Sequence, residues 1–231
     1  MQKSVNFLEL IGGGRIPEVL IGTWIVMGIL IVFGFIARAS IAGADDRLIP
    51  DEGITIRSVS EMIVEWLDGF VSEVTEMHGS RAMVPFFGCI FMFILFANFF
   101  GLIPGMEPPT GDSDLTFALG IVCFGYYIYQ GFASKGVWYL KSFLGPFLPL
   151  AVLMLPIELA DNLFRPFSLG IRLYANMFAD HTVLSIFTGL LPHLIVPLAF
   201  YALGSIVCVI QAIIFVVLSM TYVRLAASHE H

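Results

Sequence analysis

Long apolar segments limit the fold of this chain more than any other feature of its sequence. The first, VLIGTWIVMGILIVFGFIA, begins at Val19 and contains no charged side chain. A helix needs roughly 20 mainly apolar residues to cross a bilayer, and further runs of this kind cover about residues 83–104, 115–132, 147–191 and 194–225. Because 58% of the 231 residues are apolar, we expect an all-α polytopic membrane protein with about five transmembrane helices.

The last two apolar segments are longer than a perpendicular crossing requires, which predicts two long, tilted helices. The chain shows no internal repeat, so we expect a single membrane domain over residues 1–231. No small-residue cleavage site closely follows the first apolar run. That run is therefore predicted to be a retained transmembrane helix and not a signal peptide.

Residues 58–78 have a different pattern, in which apolar side chains recur every three or four positions and acidic side chains lie between them. The apolar set is Val59, Met62, Ile63, Trp66, Leu67, Phe70, Val71, Val74 and Met77. The spacing predicts an amphipathic helix at the membrane surface or against a partner, with Ser58 and Glu61 forming a capping box. Its acidic face excludes attraction to anionic lipid, so protein contact is the expected anchor.

Charge and motif content exclude several function classes. A net charge of −7 with only eleven Lys and Arg residues argues against nucleic acid as a partner. The three cysteines, Cys89, Cys123 and Cys208, lie far apart in apolar segments and predict neither a metal site nor a disulfide framework. No phosphate-binding loop or nucleophile elbow occurs, so we expect no enzyme active site and no cofactor.

Basic residues are concentrated on one set of connections between the apolar segments: Arg38, Arg47, Arg57, Arg81, Lys135, Lys141 and Arg224. By the positive-inside rule these connections are cytoplasmic. With five crossings, the N-terminus is then expected outside the cell and the C-terminus in the cytoplasm.

The segment IELADNLFRPFSLGIRLYANMFADH, residues 157–181, is unusually polar for its apolar surroundings. On a helix with about 100° per residue, six of its side chains fall in a strip about 80° wide and about 27 Å long. These six are Glu158, Asp161, Arg165, Ser168, Arg172 and Asn176. Asp180 lies at the edge of the strip, whereas His181 points nearly the opposite way on a straight helix.

Two interpretations of this strip remain open from spacing alone. Ionisable groups inside a bilayer are expensive, so several in line must face protein or water. They can join helices structurally, with carboxylates neutralising the arginines. Arg172 fits this reading less well, because the nearest carboxylates on its own helix are at least two turns away. A guanidinium stays protonated, which suggests that another chain supplies its partner.

The last apolar segment presents a matching face, on which Gly204, Gln211 and Tyr222 fall within about 20° of one another. Gln211 is interpreted equally well as an interhelical hydrogen-bonding residue and as a polar companion of Arg172. Asn98 in the second apolar segment has the same two readings, and the structural one is favoured.

This set of residues suits proton handling. A fixed positive charge at Arg172 favours the ionised form of an approaching carboxylate and so makes it release its proton. The same charge acts as a barrier against protons that would leak straight through. Glu158, Asp180 and His181 can exchange protons through water.

The motif SLGIRLYANMFADH, followed by IQAIIFVVLSMTYV, closely resembles the signature of subunit a of the F-type ATP synthase membrane sector. The segments ANFFGLIPG and PIELADNLFRPFSLG match that family in the same order, and the resemblance covers most of the chain from about residue 50 onward. It implies a stationary, non-catalytic subunit in a bacterial plasma membrane. Two aqueous half-channels would lead protons to a rotating ring of c subunits, and peripheral-stalk b subunits would also be partners.

The resemblance also implies roles for individual residues. Arg172 matches the essential arginine that faces the ring, and Asn176 and Gln211 match its polar companions. Glu158 and the position of His181 match the channel lining. Asn98 matches a further polar position of the family, and Ser168 on the strip is included in the candidate proton path.

One departure from the family pattern concerns His181. Relatives commonly pair Glu at this position with His at the position of Gly204, or the reverse. Here the histidine occurs with Gly204, so its usual partner is absent. We hypothesise that the neighbouring Asp180 supplies the missing carboxylate.

Two other function classes make different predictions. An independent ion-coupled transporter or channel should provide an intrachain counter-ion for Arg172, whereas a stator leaves that charge to a neighbouring subunit. A membrane scaffold predicts that Arg172→Ala leaves function intact.

Overall fold

A computed structural model describes residues 17–42, 55–76, 80–103, 106–136, 151–190 and 195–227. The described residues form α-helices and 3-10 turns but no strand, which confirms the all-α fold. The helices are α1 (Glu18–Ala42), α2 (Ile56–Thr75), α3 (Val84–Phe100), α4 (Ser113–Lys135), α5 (Ala151–Leu190) and α6 (Ile195–Ala227). Apart from α2, they correspond one to one with the five predicted apolar segments.

Three of these helices contain segments long and apolar enough to span a membrane by length and composition: Glu18–Ile41, Ser113–Lys135 and Ala199–Ala227. The segment predicted over residues 83–104 is a shorter apolar helix of 17 residues. The last two helices have 40 and 33 residues, which confirms that both are long. Helices of this length and composition bury their backbone polar groups in their own hydrogen bonds, as a hydrocarbon environment requires.

The chain divides into two compact units, Met1–Pro109 and Thr110–His231. In the first unit, α1 begins directly after Pro17, whose carbonyl accepts from the backbone N–H of Leu20 at 3.0 Å. Proline suits this place because its missing N–H would have no helical partner there. A small core joins α1 to α3 through Ile21, Val26, Ala97 and Phe100.

Helix α2 differs from its predicted limits and its predicted cap. It begins two residues earlier, after an extended Thr55, and ends at Thr75 before Glu76, which is left-handed with φ 49°. Residues 77 and 78 lie outside the described part of the chain. The predicted capping box is wrong, because Ser58 lies inside the helix and Glu61 instead accepts from Nε of Arg57 at 2.8 Å.

The face of α2 that packs within the first unit buries Leu67 and Val71. Trp66 stacks on Phe70 with ring centroids 5.2 Å apart and also contacts Phe91 of α3 at 5.4 Å. Burial of large apolar and aromatic side chains is the main favourable contribution to such packing. Helix α2 is therefore held by packing against α3.

In the second unit, α4 and α5 approach each other closely where both helices lack side-chain bulk. A Cβ atom on Gly120 would lie 2.6 Å from the carbonyl oxygen of Pro166, and one on Gly170 would lie 2.8 Å from the Phe117 ring. Helices come this close only where small residues allow backbone contact. Helix α5 continues through Pro156 and Pro166, so its polar residues remain on one helix.

Candidate functional site

Helices α5 and α6 form an antiparallel pair with a constant register. The guanidinium carbon of Arg165 lies 5.3 Å from the centroid of the Tyr222 ring. Nδ2 of Asn176 donates to Oε1 of Gln211 at 2.7 Å. Farther along, the rings of Phe187 and Phe200 stack with centroids 4.4 Å apart.

These three contacts are evenly spaced on both helices. Their residue numbers rise by eleven along α5 while they fall by eleven along α6. Eleven residues are close to three helical turns and about 16 Å, so the same face of each helix returns to the interface. The polar strip on α5 therefore follows one edge of the α5–α6 contact.

Arg172 lies between the first and second of these contacts. Its side chain is exposed in this chain, and it makes no hydrogen bond or ion pair with any residue that the structure describes. Its helical neighbour Leu173 is fully buried, so the helix is firmly packed next to an outward-facing cation. A guanidinium carries five donors, and none of those of Arg172 is used by a residue that the structure describes.

The pair formed by Asn176 and Gln211 is the polar contact nearest to Arg172 along α5. Gln211 is only 2% exposed, and its Nε2 has no partner among the described residues. Gln211 of α6 therefore accepts an interhelical hydrogen bond from Asn176, which lies one turn of α5 beyond Arg172. Ser168, one turn before Arg172, is exposed on the same side.

Asp180 and His181 are both half-buried at the far side of this region. The carboxylate of Asp180 interacts electrostatically with His181, and Asp180 lies near Cys208 of α6. No direct hydrogen bond joins Asp180 to His181 in the described residues. Asp180 is thus close to α6.

Two further residues were predicted from the sequence. Glu158 is on α5, but its side chain lies outside the described part of the structure. Asn98 belongs to α3 in the first unit, where it is 1% exposed.

A cluster around Arg165 was not predicted as a unit. Nη2 of Arg165 pairs with Oδ2 of Asp161 at 2.7 Å, and its Nη1 donates to the hydroxyl of Tyr127 at 3.3 Å. The hydroxyl of Tyr127 in turn donates to Oδ1 of the buried Asn162. The spacing of Asp161 and Arg165, four residues apart on a helix, was the available signal for the ion pair.

The long apolar helices and the polar face on α5 define an all-helical, multi-pass membrane protein. The family model described as ATP synthase A chain matches residues 20–224. The chain belongs to the ATP synthase A chain family.

Individual relatives agree with the family match. ATP synthase subunit a of Bdellovibrio bacteriovorus is 40% identical over 234 residues, which cover 99% of this chain and 100% of the relative. The proteins of the same name from Nitratidesulfovibrio vulgaris and Solibacter usitatus are 36% and 39% identical. Each of these two alignments covers 90% of this chain and 85% of the relative. The chain is accordingly a non-catalytic membrane subunit of the ATP synthase complex.

Proposed function

We propose that this chain is the stationary proton-channel subunit of an F-type ATP synthase, and that Arg172 couples proton movement to rotation of a c-subunit ring. The observation that carries the proposal is the contrast between the firm packing of α5 and the exposure of the Arg172 side chain. A permanent cation inside a membrane needs a partner. The ring carboxylates have the required chemistry.

In this mechanism Arg172 does not carry a proton. Its charge favours the ionised form of each ring carboxylate that approaches it, so the carboxylate releases its proton into the outgoing half-channel. As the carboxylate moves past, it returns to an apolar environment only after taking a proton from the other half-channel. The same positive charge keeps protons from passing directly between the two half-channels.

Asn176 and Gln211 support this role by holding α5 and α6 together one turn beyond Arg172. Their hydrogen bond of 2.7 Å keeps a polar surface beside the path of the ring carboxylate. We assign Ser168 to the same surface and Glu158 and Asn98 to the lining of the half-channels. The assignments of Glu158 and Asn98 rest on the family pattern, and that of Ser168 rests on its place in the polar strip.

We assign Asp180 and His181 to the proton path as an adjacent acid and base. Their electrostatic interaction supports this assignment, since a histidine next to a carboxylate can accept and return a proton. Because Gly204 has no side chain that could pair with His181, we assign this role to Asp180, the acidic residue next to His181 on α5.

We further propose a bacterial plasma membrane as the location, with the N-terminus outside and the C-terminus in the cytoplasm. The distribution of basic residues supports this orientation. Peripheral-stalk b subunits are proposed as further partners, together with membrane lipid. An independent transporter is not favoured, because it should provide Arg172 with a counter-ion and none occurs in the described residues.

Replacement of Arg172 by alanine tests the proposal. In membrane vesicles, ATP-driven proton pumping should fall to background while the assembled complex is still recovered on a native gel. Gln130→Ala is a matched control, because Gln130 is a polar residue of α4 whose amide bonds within its own helix, to Tyr126. Normal pumping by an assembled Arg172→Ala complex would contradict the proposal.

A further inference from the structure

Arg165 makes more contacts than are needed to neutralise its charge. Asp161 on the same helix already pairs with the guanidinium at 2.7 Å. Beyond this ion pair, the guanidinium carbon lies 5.6 Å from the Tyr127 ring centroid and 5.3 Å from the Tyr222 ring centroid. Both distances fall within the range of cation–π attraction. One side chain of α5 thus contacts aromatic rings from both α4 and α6.

Hydrogen bonds fix the α4 side of this arrangement. The Tyr127 hydroxyl accepts from Nη1 of Arg165 and donates to Asn162, so its two roles define the direction of the O–H bond. Tyr127 and Asn162 are 5% and 3% exposed, which makes loss of either partner costly. The same three helices line a small cavity beside the guanidinium.

The α6 side of this arrangement lies at one end of the constant register between α5 and α6. The Arg165–Tyr222 contact is eleven residues from the Asn176–Gln211 contact on each helix. Arg172 lies between them. A shift of α6 along α5 would therefore change both contacts, and a rotation of α5 would in addition change the direction in which Arg172 faces.

We propose that Arg165 is a positioning residue, which fixes the register of α5 against α4 and α6 and thereby sets the direction of Arg172. Its charge is used within the chain, so it does not act as a second barrier to protons. The planar guanidinium suits this task, because it can form directed hydrogen bonds and face aromatic rings at the same time. The inference rests on the proposed function for the role of Arg172, but the register of α5 and α6 can be measured without proton transport.

Two variants of Tyr222 separate ring contact from other effects. Tyr222→Phe keeps the ring that faces Arg165, whereas Tyr222→Leu removes it. Pumping should stay within about twofold of wild type for Tyr222→Phe and fall by about tenfold for Tyr222→Leu, as expected from loss of a desolvated cation–π contact. Arg165→Lys keeps the charge but loses the planar group, and should lie between these two.

The register is measured by cross-linking in assembled complexes. Cysteines replace Asn176 and Gln211 in a background without Cys89, Cys123 and Cys208, and a short thiol cross-linker joins them. The cross-linking yield should fall severalfold when Tyr222→Leu or Arg165→Lys is added, and should persist with Tyr222→Phe. Pumping is measured separately in chains that retain Asn176 and Gln211.

Three results would overturn the inference. The first is wild-type pumping and cross-linking in Tyr222→Leu. The second is a loss of pumping in Arg165→Lys with an unchanged cross-linking yield, which would indicate a direct role in proton transfer. The third is an equal loss in Tyr222→Phe and Tyr222→Leu. Failure of the proposed function is distinguishable, because normal pumping in Arg172→Ala leaves the cross-linking result unaffected.

Discussion

Arg165 and Arg172 lie two turns apart on the same face of α5, yet their surroundings are opposite. Arg165 pairs with a carboxylate of its own helix and contacts aromatic rings from two neighbouring helices. Arg172 is exposed and has no ion-pair partner in the described part of the chain. The difference teaches that a carboxylate on the same helix and aromatic rings on neighbouring helices together decide whether a cation serves the fold or a partner.

The largest expected effect comes from giving Arg172 the ion pair that Arg165 already has. Ser168 precedes Arg172 by four residues, as Asp161 precedes Arg165, so Ser168→Asp creates the same helical pair. ATP-driven pumping in vesicles should fall by at least about tenfold, because a new intrachain carboxylate neutralises Arg172 where the ring carboxylate would otherwise approach it.

Ser168→Asn is the matched control for this change, since asparagine has nearly the same shape as aspartate without its charge. Its pumping should exceed that of Ser168→Asp, and the gap between the two variants measures the electrostatic part. Equal pumping by both variants would contradict the view that Arg172 must remain unpaired within the chain.

A smaller effect is expected from a change at Asp180, next to His181 on α5. Asp180→Asn removes the carboxylate that interacts with His181. Proton-driven ATP synthesis in vesicles should decrease severalfold, because the histidine loses its acidic neighbour. Asp161→Asn removes the carboxylate that pairs with Arg165 on the same helix and should reduce synthesis less. Full synthesis in Asp180→Asn would exclude the assigned role.

The enclosed surroundings of Arg165 depend on close contact between α4 and α5, and Gly120→Ala tests this. The added Cβ would lie 2.6 Å from the Pro166 carbonyl oxygen, which is backbone and cannot rotate away. Overpacking of this kind costs about 1–3 kcal/mol. Thermal unfolding of the purified complex should therefore begin at a lower temperature.

Gly125→Ala is the control for the glycine change, because nothing lies within 4 Å of a Cβ at that position of α4. It should leave stability unchanged or raise it, since alanine favours helices more than glycine does. A similar loss of stability in both variants would show that the close contact at Gly120 is not the cause.

The smallest effect is expected from Asp161→Asn on stability. The Asp161 side chain is 60% exposed, so its ion pair with Arg165 is worth less than about 1 kcal/mol. Added salt should reduce the difference in thermal stability between wild type and variant, because screening weakens exposed pairs. A loss as large as that of Gly120→Ala would contradict the small contribution expected of this ion pair.

The positions of the helices were predictable because apolar runs of membrane-spanning length leave few alternatives. The long helix α5 and its polar face follow from the same reasoning, and Gln211 proved to bond across helices to Asn176. The cap of α2 was not predictable from its motif. Arg57 lies four residues before Glu61 and engages the carboxylate that a capping box would have used.

The contacts of Arg165 with Tyr127 and Tyr222 had no comparable signal in the sequence. Tyr127 is 38 residues away along the chain, and helical periodicity says nothing about how two helices align lengthwise. That alignment is set by packing, including the close approach at Gly120 and Pro166. The sequence indicated which residues shared a face but not which faces met.

The uncovered guanidinium of Arg172 also has a consequence for biogenesis. A cation at mid-membrane costs about 2.5–3.5 kcal/mol on insertion scales, and no described side chain of this chain offsets that cost. On the proposed function the cost is relieved when a ring carboxylate covers the charge. The newly made subunit is then less stable in lipid by itself than beside the ring, so the residue proposed to couple proton movement to rotation also favours docking of the ring during assembly.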